Sequence, residues 1–306
     1  MCANGLEKSK LKTIPLTVLA HEGPGSRAYL VMMAAAGFRP SSIIAMISSH
    51  GESGGNGKRI GRFLPNPIRR SYAKRIQEVR RMYWPRLIRK KHPELYESIA
   101  NGLSSLIKKP RQKLDAMTGI FNWNHYADSV VHIAVKNYSD RRILHALQKG
   151  TVNKVLYTGG GILPTSLIAS TNRFIHIHPG NLPHIRGADG LLWSTLIRGQ
   201  PGAACFYMND GIDTGDIIYT SDLPATTFQL SDPDRPPDEI LYNAIFSYYD
   251  PLIRAKVFSE ILTQHNGCLP DTGSYQSNSE GTTYYFMHPA VRKKALNRIF
   301  IATQPD

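Results

Sequence analysis

The sequence predicts an α/β fold class: an open, mostly parallel sheet with a basic helical insert and a short C-terminal extension. Three observations predict it. Apolar runs of strand length alternate with stretches of helical period. A Gly-rich turn joins the first such strand to the first helix. The alternation breaks at one stretch that holds an unusual share of the Lys and Arg.

The elements follow in order. Leu16–Ala20 (LTVLA) reads as a buried strand, His21–Ser26 as a turn, and Arg27–Ala36 as an apolar helix stopped by Gly37. Ser42–Ile47 (SIIAMI) is a second strand, so the unit is βαβ and its sheet parallel, which makes the fold Rossmann-like. The turn puts backbone N–H groups at a helix N-terminus, where an anion can sit, although a glycine pair also suits any tight turn. Gly51–Gly57 is a flexible loop. Ile68–Lys91 is helical in period, with Pro85 expected to kink or end it. Strands return at Val130–Val135, Lys154–Thr158, Arg173–Ile177 and Ala203–Met208. Helices are expected over Asp140–Gln148, Leu163–Ser170 and, at length, Asp238–Gln264, with a loop-rich tail after them. The expected organisation is a catalytic domain over 1–265, with the insert at about 51–125, and an extension over 266–306.

Composition bounds the class. With 42% apolar residues in 306, the chain can bury a sizeable core. Its longest apolar run, Ala28–Phe38, is 11 residues, short of the ~20 a membrane-spanning helix needs. Lys8, Lys10 and Lys12 precede only a short strand, without the cleavage site of a signal peptide. Three cysteines (Cys2, Cys205, Cys268) make no disulfide framework, and a cytoplasmic setting is expected. Between Lys58 and Lys113 stand 17 Lys and Arg against 3 Glu, an excess that equals the whole formal charge of +14. The rest of the chain is formally neutral.

The most informative stretch is Phe174-Ile-His-Ile-His-Pro-Gly-Asn-Leu-Pro-His-Ile-Arg-Gly-Ala-Asp189. His176 and His178 are two apart on a strand, so both point to one face at its carboxyl end, the edge where open α/β sheets bind ligands. Further on, Asp210-Gly-Ile-Asp213-Thr-Gly215-Asp forms an acidic loop after another strand. Two imidazoles and a carboxylate suit acid–base chemistry. Two other readings stay open at this point: histidines that merely pack, or a metal site completed by His184.

This stretch resembles the signature loop of the folate-dependent formyltransferases, Asn-x-His-x-Ser-x-Leu-Pro-x-(aromatic)-x-Gly. Gly161-Ile162-Leu163-Pro164 resembles the family's pterin-lining segment, the Asp213 loop its catalytic-aspartate loop, and Gly23–Ser26 its phosphate-side Gly loop. The resemblance covers roughly Leu16–Met46 and Val130–Leu262, and more loosely Gln276–Pro289. It implies an N-formyltransferase that takes 10-formyltetrahydrofolate as formyl donor, needs no metal, and passes the formyl group to a primary amine. Ile162, Leu163, Pro164 and the backbone of Met208, Asp210 and Gly211 would hold the pterin. His178 would donate to the oxyanion or relay the amine proton, and Asp213 would orient it. Gly23, Gly25, Ser26 and Arg186 would meet the acceptor. Two positions depart from the pattern: His176 stands for the family's Asn, and Gly180 for its Ser. His176 is expected to replace the amide as an N–H donor; the other outcome is a folate- or nucleotide-binding protein with lost activity. A hydrolase releasing formate from the same folate is a third possibility.

The acceptor is less constrained. The tail is too short for the tRNA-binding C-terminal domain of methionyl-tRNA formyltransferases. Glu280–Pro289 resembles the short ending of amino-sugar formyltransferases. A small amine carrying phosphate or sugar is therefore expected. The basic segment 58–113 suits a nucleic acid, an anionic membrane surface, or simply a solvated face. A homodimer is compatible with the sequence.

Overall fold

The computed structural model describes residues 10–48, 65–170, 172–231 and 235–302. Cys2, Lys8, the Gly51–Gly57 loop, and Lys58, Arg59 and Arg62 of the basic stretch lie outside the described residues.

The chain opens with β1 (Lys12–His21), α1 (Pro24–Ala35) and β2 (Phe38–Ser48), the βαβ unit expected. It then runs through α2 (Asn66–Arg81), α3 (Tyr83–Lys91), α4 (Pro93–Ile107) and α5 (Gln112–Thr118) before returning as β3 (Ser129–Val135). The helical stretch expected over Ile68–Lys91, with a kink or end at Pro85, is two helices, and the break falls three residues earlier, at Met82. Pro85 falls in the first turn of α3, where a missing N–H loses no helical hydrogen bond. Leu95, Ile99 and Leu103 of α4, and Leu114 and Met117 of α5, are buried in the main core. The second half of the basic stretch is therefore part of the domain interior, and its charge is a surface property.

Next come α6 (Arg141–Gln148), β4 (Lys154–Tyr157), α7 (Thr165–Ile168) and β5 (Arg173–His178). The helix expected over Leu163–Ser170 shrinks to one turn because Pro164 caps it and Leu163 is drawn into the core. Then follow β6 (Ile185–Gly187), α8 (Gly190–Arg198), β7 (Gly202–Tyr207), β8 (Ile217–Asp222) and β9 (Phe228–Leu230). The long C-terminal helix is α9 (Asp238–Ala244), a π-helical turn over Ile245–Tyr249, and α10 (Asp250–Gln264). Pro251 explains the wide turn: it has no N–H to bond back, so the helix loosens just before it. The expected loop-rich tail instead holds β10 (Thr282–Tyr284), α11 (Pro289–Ile299) and β11 (Phe300–Ala302).

The main sheet has the order β3-β2-β1-β4-β5-β7-β8. The first five strands pair in parallel, and the β5–β7 and β7–β8 pairs are antiparallel. The runs LTVLA and SIIAMI are apolar on both sides because the sheet is covered on both faces. Val18, Ile175 and Ile177 enter one core with α1 and α10, while Leu19, Val155 and Phe174 enter the other with α6 and α7. The strand order reverses between β1 and β4, which opens a crevice at their carboxyl ends. The tail returns to this body: β10 pairs with β6 and β11 with β9.

Candidate active site

Strand β5 delivers Phe174, His176 and His178 to one face by simple alternation. His178 is buried, and its Nδ1 lies 3.2 Å from Asp213 Oδ2. A carboxylate only accepts, so Nδ1 carries the hydrogen. The other nitrogen, Nε2, is buried without a hydrogen-bond partner. Two glycines frame it: a Cβ at position 180 would stand 2.6 Å from Nε2, and one at position 190 would stand 2.8 Å away. In this structure the His178 imidazole occupies the room that a side chain at position 180 would take.

Asp213 is held on three sides. Its Oδ2 accepts from the Gly187 N–H at 2.8 Å, and its carbonyl accepts from Gln276 Nε2 at 3.0 Å. Its φ of 54° is left-handed, a conformation most residues adopt only under such restraint. Gln276 also donates to Gly215 O at 2.5 Å and accepts from Arg186 Nη2 at 3.2 Å. Arg186, expected at the acceptor, is instead buried and engaged by Gln276 and by Ser277 O. It ties the His178 loop to the tail, and it does not line the cleft described below.

His176 differs from the expectation of an N–H donor. Its Nδ1 stands 3.0 Å from the Tyr157 carbonyl, which can only accept, so the ring's hydrogen is already engaged. Burial, reinforced by the Arg254 charge, pushes its pKa down to about 4. At neutral pH the ring is uncharged, and Nε2 is left as an acceptor.

The expected pterin segment flanks these residues. The turn after β4 is clasped by the Tyr157 hydroxyl, which donates to Gly161 O at 2.9 Å and accepts from Gly161 N–H at 3.0 Å. Leu163 is buried, and Met208 packs on the same cluster, while Ile162 is exposed. After β7, Asn209 Oδ1 accepts from Gly211 N–H and from the Thr214 hydroxyl, closing a tight turn beside exposed Asp210. Two loops with apolar walls therefore lie on either side of β5.

At the β1/β4 crevice a cleft of about 290 Å³ is lined by Gly23, Gly25, Ser26, Thr158, Gly159, Arg81 and Arg254, among others. The Ser26 hydroxyl is engaged by Thr158 Oγ1 at 2.6 Å, which leaves the backbone of α1's first turn to face the cleft. Arg254 is held by Asp250 Oδ1 at 2.5 Å. Sequence reasoning missed Arg254 and Gln276, single polar residues on a helix and in the tail with no local pattern to mark them, and it placed Arg81 only within the basic segment 58–113. Among the described residues no group of three His, Cys, Asp or Glu could hold a metal ion, so His184 does not join His176 and His178 in one.

With this geometry in view, the comparisons define a class. Residues 111–232 match the formyl transferase family model, a stretch that includes His176, His178 and Asp213. Methionyl-tRNA formyltransferase of Syntrophus aciditrophicus (strain SB) is 37% identical over 89 residues, 28% of this chain and 28% of that protein. The enzyme of the same name from Sulfurimonas denitrificans (strain ATCC 33889 / DSM 1251) is 33% identical over 75 residues, 24% of each. The chain's match thus spans about a quarter of the length of these curated relatives. Among solved structures, a sugar N-formyltransferase from Shewanella sp FDAARGOS_354 aligns over 94% of this chain and 87% of its own, at 15% identity and a TM-score of 0.44. A 4-N formyltransferase from Francisella tularensis aligns over 94% and 88%, at 13% identity and a TM-score of 0.45. Among the described residues no helix is long and apolar enough to cross a membrane.

Proposed function

We propose that this protein transfers a formyl group from 10-formyltetrahydrofolate to a primary amine on a small anionic acceptor. The observation that carries the reading is the His178–Asp213 pair, with its orphaned Nε2 at the carboxyl edge of the sheet, inside the matched family segment.

The residues fit a folate donor, which would supply the formyl group already activated on nitrogen. Leu163 and Met208 share one apolar cluster between the turns at Gly161–Pro164 and Met208–Gly211, and the pterin would rest against these turns. Asp213, 3.2 Å from Nδ1, fixes His178 in the tautomer whose Nε2 carries the lone pair. His178 Nε2 can therefore take the proton an attacking amine must lose, and hand it on to a departing nitrogen. The first turn of α1, with Arg81 and Arg254, supports an anionic group on the acceptor at the β1/β4 cleft.

The test is direct. Purified protein is incubated with 10-formyltetrahydrofolate and a panel of phosphorylated and nucleotide-linked amines, and formylated product is followed by mass spectrometry. Product is expected with at least one amine, and His178→Ala should lower its rate by about 10²-fold or more. Formate release without any amine would make the protein a hydrolase, and no consumption of folate under any condition would sink the enzymatic reading.

A further inference from the structure

Helix α2 is built inside out. Its buried side holds Ala73 and the polar Gln77, whose side chain accepts from Ser48 N–H at 2.7 Å and donates to Met46 O at 2.9 Å. Its apolar residues face solvent: Ile68 is 52% exposed, Tyr72 45% and Val79 51%. Positions 68, 72 and 79 fall on one helical face, opposite Ala73 and Gln77. Half-buried Ile76 lies on the same arc, and exposed Tyr83 continues the patch at the start of α3. Arg75 flanks this stripe on one side, and Arg69 and Arg80 on the other. The acids nearby are engaged elsewhere: Glu78 by Arg27 and Arg86, Asp115 by Arg89, and Glu97 by Arg111. The helix therefore presents an apolar stripe between rows of cations whose charge the described acids do not cancel.

We propose that α2 lies on an anionic lipid surface, with Ile68, Tyr72 and Val79 entering the interface and Arg69, Arg75 and Arg80 meeting the headgroups. An outward apolar stripe flanked by Arg is the signature of an interfacial helix. The charge complements one class of partner: the segment 58–113 carries the chain's entire excess of 14 positive charges, and the remainder is neutral. Nucleic acid fits less well, because aliphatic Ile68 and Val79 add nothing to phosphate contacts or base stacking. A second copy of the chain fits less well too, because the same Arg rows would face each other.

The test is co-sedimentation of the full chain with vesicles of phosphatidylcholine alone, or containing about a third phosphatidylserine. Binding is expected only to the anionic vesicles, and it should be released by ~0.5 M salt. Ile68→Ser/Val79→Ser should weaken it by about tenfold or more, with the unfolding midpoint unchanged because both side chains are exposed. Arg75→Glu/Arg80→Glu provides an independent variant that should abolish it. The proposal fails if neither vesicle binds at low salt, or if binding survives both variants. It fails equally if the patch instead supports only salt-sensitive RNA binding or only self-association.

Discussion

His178 shows how a single imidazole can organise its surroundings. Its Nδ1 is fixed by Asp213, and its Nε2 projects between Gly180 and Gly190, where an added Cβ would press on it. Two expectations follow. Asp213→Asn keeps a residue that tolerates a left-handed backbone and removes the charge, so the fold should stand while transfer falls by about 10²–10⁴-fold. Circular dichroism checks the fold and product formation the rate; an active variant would remove Asp213 from the mechanism. Gly180→Ala places a methyl where Nε2 stands, so His178 must rotate off Asp213, and activity should drop by about tenfold or more with little change in secondary structure. The His–Asp pair was legible in the sequence because a strand ending in Pro-Gly and a Gly-rich acidic loop are local signals. The tautomer of His176 was not, since it depends on the Tyr157 carbonyl, 19 residues away on a neighbouring strand. Arg186 was misjudged for a similar reason: its partner, Gln276, is 90 residues off.

Among the elements, those with their own periodicity were readable. The βαβ start, β3 to β5 and the α9–α10 stretch carry apolar residues at strand or helix spacing, and the strands meet their neighbours in register. Three-residue strands such as β6, β10 and β11 have no pattern of their own and exist because a partner strand is already in place. The tail is the clearest case. Phe300, nearly fully buried on β11, packs against the Phe228 ring of β9 at 5.5 Å, so the last strand closes a core that begins at residue 11. Phe300→Ala should therefore destabilise the protein by about 3–5 kcal/mol, the usual range for emptying a buried aromatic site. Urea unfolding followed by tryptophan fluorescence measures it, and a loss below 1 kcal/mol, about the level of a surface change, would show the tail to be an appendage. Because Gln276 on the same tail braces Asp213, loosening this element should also lower activity before the protein unfolds.

Acid sensitivity belongs to the whole molecule, because one buried and two half-buried imidazoles resist protonation in different parts of it. His176 is pushed down to about 4 by burial and Arg254, and His21 to about 4 by burial and Arg81. His132 is lowered by burial and Lys74. In the unfolded chain each ring titrates near 6.5, so below that pH the unfolded state takes up protons that the folded state refuses, down to about pH 4 at His176 and His21. Stability is then complete above pH 6.5 and is lost progressively as the pH falls towards 4. At pH 5 the expected loss is about 2 kcal/mol for His176 alone, with His21 adding in the same direction. Urea midpoints at pH 7 and pH 5 measure the total. The His176→Asn variant isolates one share, since an amide does not titrate, and its stability should fall less over the same interval by about 2 kcal/mol. If the variant and the parent lose stability equally between pH 7 and pH 5, His176 is not held neutral by its surroundings. Its Nε2 would then be free to carry a proton at the site, and the donor role first expected from the sequence would return.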